Sequence, residues 1–254
     1  MRVSILTIFP DFFPPALAEG MIRAAREKGL LTVDIVQLRD FTDDSHRSTD
    51  DYPFGGGVGM VMKIDPIARA LESLSVGTRG GRPAGSRVIL LSPQGRRLTQ
   101  DLAIEYSGLE HLVLVCGRYK AVDERVSDHL IDEELSLGDF VLSGGEPAAL
   151  CVVDAVARLL PGVVGDSDSV ESDSFHSGIL DTPYYTRPAE YHGWPVPEVL
   201  LGGNHAAIAR WRREQSLRRT FERRPELLDR VELSAEDRRF LRGLERERAE
   251  RDAR

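Results

Sequence analysis

The chain has 254 residues, 41% of them hydrophobic, and a formal net charge of −8; this excludes a disordered tail and leaves room for one large or two modest globular domains. No apolar run approaches the roughly 20 residues of a membrane-spanning helix, so no membrane partner is expected. Cys116 and Cys151 are the only cysteines, and the first segment reads as a strand rather than a leader; a disulfide scaffold and a cysteine-rich zinc site are excluded, and a cytoplasmic protein is expected.

Residues 3–8 read as a strand, 16–28 as one helix ending near Gly29, and 32–37 as a second strand. Asp65-Pro66 pairs a capping side chain with a first-turn proline and predicts a helix to about Ser75. Residues 76–86, rich in Gly and Arg, are a loop. Residues 88–91 and 112–116 are short, wholly apolar runs, the pattern of strands buried on both faces, with a helix over about 99–106 between them. Strand–helix alternation of this kind predicts an α/β domain built on a parallel sheet. A further helix, 146–160, is stopped by Pro161-Gly162.

The character then changes. Residues 165–177 are rich in Ser and Asp and read as a mobile linker or lid. Pro183, Pro188, Pro195 and Pro197 punctuate the next stretch, and helical patterns occupy about 206–223, 225–230 and 234 onward. The expected organisation is an α/β domain over 1–164, a linker over 165–177 and a small, mainly helical domain over 178–254. Between Ala209 and Arg224, seven arginines face two glutamates. An acidic protein with one such basic module can hold a polyanion there; the alternative is a solvated helix face.

Three glycine-bearing loops follow apolar segments: Leu91-Ser92-Pro93-Gln94-Gly95, Cys116-Gly117-Arg118-Tyr119, and the run from Leu137 through Gly138, Asp139, Phe140, Val141, Leu142, Ser143, Gly144 and Gly145 to Glu146. In an open α/β sheet, ligands bind beyond the carboxyl ends of the strands. Glycines there let backbone N–H and C=O groups approach a ligand with no Cβ in the way. Each loop alone could be an ordinary turn; together they can form a pocket that holds an adenine through the main chain. The chain has no G-x-x-x-x-G-K, no G-x-G-x-x-G after its first strand, no H-E-x-x-H and no G-x-S-x-G. Phosphate cradling by the usual loops, zinc hydrolysis and serine-elbow hydrolysis therefore lose support.

These runs, with Tyr52-Pro53-Phe54-Gly55-Gly56-Gly57-Val58-Gly59-Met60 before them, resemble the TrmD family of knotted (SPOUT-like) methyltransferases. The likeness continues in order through Asp173-Ser174-Phe175, Leu180-Asp181, Tyr185-Thr186-Arg187-Pro188, Gly203-Asn204-His205 and Arg210-Trp211-Arg212. That family methylates N1 of the guanosine just 3′ of the tRNA anticodon, tRNA position 37, using S-adenosyl-L-methionine. The resemblance implies a deep trefoil knot in the N-terminal domain and a homodimer whose sites are shared between subunits. Residue periodicity points to neither.

Alkylating guanine N1 needs a proton acceptor and a cation to balance charge developing on the base. The resemblance gives these roles to Asp173 and Arg158. It implies a cofactor site at Leu90, Leu91, Ser92, Pro93, Gln94, Gly117, Ser136, Leu137, Gly138, Phe140, Leu142, Gly144 and Gly145. For tRNA it implies His46, Asp50 and Gly59 near the target base, and Asp181, Arg187 and the arginine-rich helix, with Arg210, Arg212, Arg213 and Arg218, in the second domain. Without the resemblance, Asp173 would read as one solvated loop charge beside Asp166, Asp168 and Glu171. Four departures stand out: Lys120 where many relatives carry Glu, Ala121 for the following Gly, Phe140 for Tyr and Val58 for Pro. With Lys120 at that position, a Mg2+ role inherited through the Glu is in doubt, and no protein metal site is assigned. Two other readings remain open: a related knotted methyltransferase acting on another RNA, and a non-catalytic RNA-binding protein.

Overall fold

The computed structural model describes residues 1–165 and 172–253, and the chain divides into two compact units, Met1–Gly165 and Asp166–Arg254. The expected linker over 165–177 therefore lies partly outside the described residues.

The first unit is an α/β layer structure. Strands β1 (Arg2–Thr7), β2 (Thr32–Gln37), β5 (Ser86–Arg97), β6 (His111–Cys116) and β8 (Glu133–Ser136) form one sheet in the order β2-β1-β6-β5-β8, with every neighbouring pair parallel. Side chains alternate between its faces, as a period of two requires. Val3, Ile5, Ile89, Leu91, Leu112 and Leu114 enter one buried cluster; Leu6, Val88, Leu90, Val113 and Val115 enter the other. Burial on both sides explains the unbroken apolar runs, since each Leu or Ile removed from water stabilises the fold by about 1.5–3 kcal/mol. Helices α2 (Gly20–Glu27), α4 (Gln100–Ser107) and α6 (Glu146–Ala157) supply the first cluster; α3 (Ile64–Ser73) and α5 (Glu124–His129) supply the second.

Several boundaries differ from the sequence reading. The single helix expected over 16–28 is two, α1 (Pro14–Leu17) and α2, because Gly20 takes φ +59° and breaks the run. Asp65 does not cap α3; the cap is Lys63, and Asp65 lies inside the first turn. Helix α6 stops at Ala157, short of the proline. Strand β5 runs past the apolar core to Arg97 because its polar end pairs again with β8: Leu91 and Arg96 both oppose Leu135, so residues 92–95 bulge out of the ladder. A small second sheet joins β3 (Asp50–Asp51), β4 (Val61–Met62) and β7 (Ala121–Val122), fastening the glycine-rich loop to the segment after β6.

In the second unit, a two-stranded ribbon of β9 (Glu190–Tyr191) and β10 (Trp194–Pro195) precedes helices α7 (Glu198–Leu201), α8 (His205–Arg223) and α9 (Ala235–Asp252). Residues 225–230 form a 3-10 turn. Ile179, Leu217, Leu241 and Leu244 make the core. Asn204 caps α8, and a capping box between Ser234 and Asp237 starts α9.

Candidate active site

The loops leaving the carboxyl ends of β5, β6 and β8 converge on a cavity of about 260 Å3. Leu90, Leu91, Ser92, Pro93 and Gln94 line it from β5, and Gly117 from the loop after β6. Ser136, Leu137, Phe140, Leu142, Gly144 and Gly145 line it from the chain after β8. Gly138 is the one expected cofactor residue that is not part of the wall; its N–H donates to Ser136 Oγ at 3.1 Å and shapes the turn.

Close backbone crossings set this geometry. A Cβ on Gly95 would fall 2.3 Å from the Glu134 carbonyl carbon and the Leu135 nitrogen, so only glycine lets the bulge cross β8. A Cβ on Gly145 would fall 2.7 Å from Cys116 Cα, and one on Gly144 would strike the Arg118 side chain. The Gly145 N–H donates to Gly117 O at 3.0 Å, and Arg118 bridges to Gly144. The last loop is thus laid directly against the end of β6.

Arg118 and Glu146, both inside the motifs but given no role from sequence, hold the crossing. Arg118 Nε donates to Glu146 Oε2 at 2.9 Å, Nη1 donates to Ser143 O at 3.1 Å, and the guanidinium lies 4.5 Å from the Phe9 ring centre. Glu146 is 0% exposed and accepts a second bond, 2.7 Å, from Thr7 Oγ1. Nothing in the spacing of two residues in separate loops announces such a pair. Burial, reinforced by the Glu146 carboxylate, pushes the Cys116 thiol well above its usual range, which leaves it a neutral core group rather than a nucleophile.

Tyr119, from the loop already expected at the pocket, and Lys120, one of the departures, also line the cavity; Val122, Glu124 and Ser127 line it too and were not anticipated. Lys120 connects it to the glycine-rich loop. Its N–H donates to Met60 O at 3.0 Å, and a Cβ on Gly59 (φ +97°) would meet Lys120 Cβ at 3.1 Å. Gly59 is therefore at the cavity rim. Asp50 is half-buried in β3, opposite Met62; His46 is exposed, with its backbone N–H on Asp44 Oδ1 at 3.0 Å. Among the described residues, no group of three or more His, Cys, Asp or Glu side chains is arranged to hold a metal.

Arg158 is not brought to this cavity along its own helix. It is the C-cap of α6, whose other end carries Glu146; twelve residues at 1.5 Å each separate them by about 18 Å. Asp173 belongs to the second unit, half-buried, with its carbonyl accepting from the His176 N–H at 3.2 Å.

The basic helix differs from the bare cationic stripe that composition suggested. Arg213 makes two bonds to Asp237, at 3.1 and 2.9 Å, while Arg210 lies 3.6 Å from Glu236 and Arg218 3.4 Å from Glu247. Three of the seven arginines thus pair with acids of α9, a helix that itself carries as many arginines as acids. Arg212 lies over the Tyr184 ring at 6.0 Å, and Arg187 is exposed. Asp181 accepts from the Thr182 N–H at 2.6 Å and the Tyr184 hydroxyl at 3.2 Å, so its carboxylate is engaged within its own unit.

A parallel open sheet whose glycine loops close over the strand ends defines a small-molecule-binding α/β enzyme domain. The family model described as tRNA (Guanine-1)-methyltransferase TrmD matches residues 1–230. The chain is 52% identical to the tRNA (guanine-N(1)-)-methyltransferase of Moorella thermoacetica, over 99% of both chains. It is 48% identical to that of Geobacillus kaustophilus, over 98% of this chain and 100% of the relative. For that of Geobacter sulfurreducens the identity is 51%, over 97% and 99%. The chain belongs to the TrmD family of tRNA (guanine-N1)-methyltransferases and is an enzyme of that family.

Proposed function

We propose that the chain transfers a methyl group from S-adenosyl-L-methionine to N1 of the guanosine immediately 3′ of the tRNA anticodon. The observation that carries this reading is the cavity at the strand ends, lined by twelve of the expected cofactor residues in a member of this family. The cavity suits such a group: Leu91, Leu137, Phe140 and Leu142 offer apolar walls for a flat base, and Gly117, Gly144 and Gly145 offer main chain free of side chains. When bound there, the group supplies an electrophilic methyl carbon on a sulfonium sulfur.

The chain's own residues supply the rest. Asp173 would take the proton from N1, freeing the N1 lone pair to attack the methyl carbon that the bound donor would supply, with the sulfur as leaving group. Arg158 balances negative charge spreading onto the base. Since about 18 Å of helix separates Arg158 from the cavity end of α6, its action at a cavity fits a homodimer in which each site draws on both subunits. The exposed Phe140, Val141 and Leu142 at the mouth suit cover by substrate or partner. A trefoil knot is consistent with residues 143–145 running against 116–118. Magnesium has no protein ligand set in this scheme, and the wall residue Lys120 adds a positive charge instead.

No helix among the described residues is long and apolar enough to cross a membrane; tRNA as substrate puts the enzyme in the cytoplasm in this reading. The test is transfer of labelled methyl to unmodified tRNA, followed by digestion to nucleosides. Label in 1-methylguanosine at the position after the anticodon is expected. Label in another nucleoside, in another RNA only, or in none would overturn the reading.

A further inference from the structure

Glu133 and Glu134 are neighbours in β8, and the fold treats them differently. Glu133 is taken by two cations: Arg87 Nη1 and Arg96 Nη1 each lie 3.3 Å from its carboxylate. Glu134 meets a neutral amide instead. Its Oε1 accepts from Gln94 Nε2 at 3.1 Å, and its Oε2 is buried with no hydrogen-bond partner among the described residues. Leaving a buried carboxylate oxygen unpaired costs stability, so holding the fold together does not account for this arrangement.

Gln94 belongs to the bulge of β5 and lines the cavity. The bulge crosses β8 at Gly95, where a Cβ would fall 2.3 Å from the Glu134 carbonyl carbon. That crossing sets the Gln94 backbone beside Glu134, and the side-chain bond then sets the amide. A carboxylate only accepts, so it selects the NH2 end of the amide and turns the carbonyl Oε1 away from itself. Oε1 is then the acceptor that this side chain keeps for a ligand.

We propose that Glu134 is a positioning residue for the methyl donor: it holds Gln94 so that Oε1 accepts a hydrogen bond from bound S-adenosyl-L-methionine. The inference rests on the methyltransferase reading above. In that reading the apolar walls and the glycine main chain take the base, which leaves the ribose hydroxyls and the α-ammonium as the remaining donors. A flipped amide would set NH2 against these groups, donor against donor.

The experiment uses the full-length enzyme with Glu134→Ala, Glu134→Gln, Gln94→Ala and the double alanine variant. Calorimetric titration gives the affinity for S-adenosyl-L-methionine, and methyl transfer to tRNA gives kcat and KM. Glu134→Ala and Gln94→Ala are each expected to lose roughly tenfold in affinity, about 1.4 kcal/mol and the size of one hydrogen bond. KM for the cofactor should rise alike, with kcat within about twofold of wild type. Gln keeps an acceptor oxygen for the amide, so Glu134→Gln should stay within about threefold. The double variant should bind no more weakly than the worse single one, because both changes remove the same contact. Unchanged affinity in Glu134→Ala, losses that multiply in the double variant, Gln no better than Ala, or a fall confined to kcat would each overturn the proposal. If Glu134→Ala does not fold, Gln94→Met should show the same tenfold loss, and Glu134→Gln in that background should add nothing; an added loss would overturn it. 5′-Methylthioadenosine, which lacks the amino-acid tail, separates the two donors: an equal loss in Glu134→Ala places the bond on the ribose, and no loss places it on the ammonium. A wild-type enzyme that binds no S-adenosyl-L-methionine would instead defeat the underlying reading.

Discussion

Arg118 Nε and the fully buried Glu146 Oε2 are 2.9 Å apart, and this pair joins the loop after β6 to the start of α6. A buried carboxylate stays charged only with good partners, here Arg118 and the Thr7 hydroxyl. Losing one member of a buried pair strands the other, at a cost of about 3–5 kcal/mol. Arg118→Met is expected to destabilise the fold by that amount and to weaken S-adenosyl-L-methionine binding at least tenfold. Urea denaturation and calorimetry check both; unaltered values would make the pair incidental.

Glycine substitutions should separate the crossings from the ordinary turns. Gly95→Ala puts a methyl group 2.3 Å from the β8 backbone, and Gly145→Val puts carbon 2.7 Å from Cys116 Cα. Both variants are expected to lose cofactor binding and to melt earlier. Gly243→Ala, inside α9 with nothing within 4 Å, should gain about 0.5–1 kcal/mol from helix propensity alone. Thermal melts and calorimetry on the three variants rank them; equal behaviour would refute the steric reading.

The Arg213–Asp237 pair has a pH signature. The hydrogen bonds from Arg213 hold the Asp237 carboxyl below its usual range. A carboxylate depressed on folding contributes stability in full above its unfolded value, about 3.9, and loses it as pH falls through the lower folded value. Asp237→Asn should therefore lower the melting temperature near neutrality, with the gap to wild type narrowing below about pH 4. For the same reason Arg213→Gln should cost stability while leaving the salt dependence of tRNA binding nearly unchanged. A gap constant with pH, or a salt slope that drops by the roughly 0.7–0.9 of one lost phosphate contact, would show Arg213 to be an RNA contact after all.

Site sharing can be tested by complementation. If Asp173 serves the cavity of the other subunit, a mixed dimer of Gly145→Val and Asp173→Ala chains retains one intact site. Co-expressed, differently tagged chains should recover a substantial part of wild-type activity. Activity no higher than either parent, in verified heterodimers, would put each site within one chain.

Much of the first unit was legible because its strands are buried on both faces: 88–91 and 112–116 could hardly be anything else. Strand β8 is hidden in the sequence because Glu133 and Glu134 open it, and the partners those acids find, such as Arg87 for Glu133 and Gln94 for Glu134 Oε1, are distant in sequence. The glycine loops were visible as motifs, and their convergence follows from their common position at strand ends. The Arg118–Glu146 bond was not visible, because it depends on how two loops cross. The charge window over 209–224 could not show which of its arginines find acids across space, as Arg210, Arg213 and Arg218 do on Glu236, Asp237 and Glu247 of α9. Composition alone did not single out Asp173; the family likeness did.

The central claim is that Asp173 takes the proton from guanine N1 while the cavity of the first unit holds the methyl donor. Single-turnover methyl transfer by Asp173→Asn, beside calorimetric titration of S-adenosyl-L-methionine, tests it most directly. Asn keeps the size and removes the proton acceptor, so the rate should fall on the order of 10²–10⁴-fold while cofactor affinity stays within twofold. A variant that transfers methyl within a few-fold of wild type would return Asp173 to the status of a loop charge and leave the base to be found elsewhere.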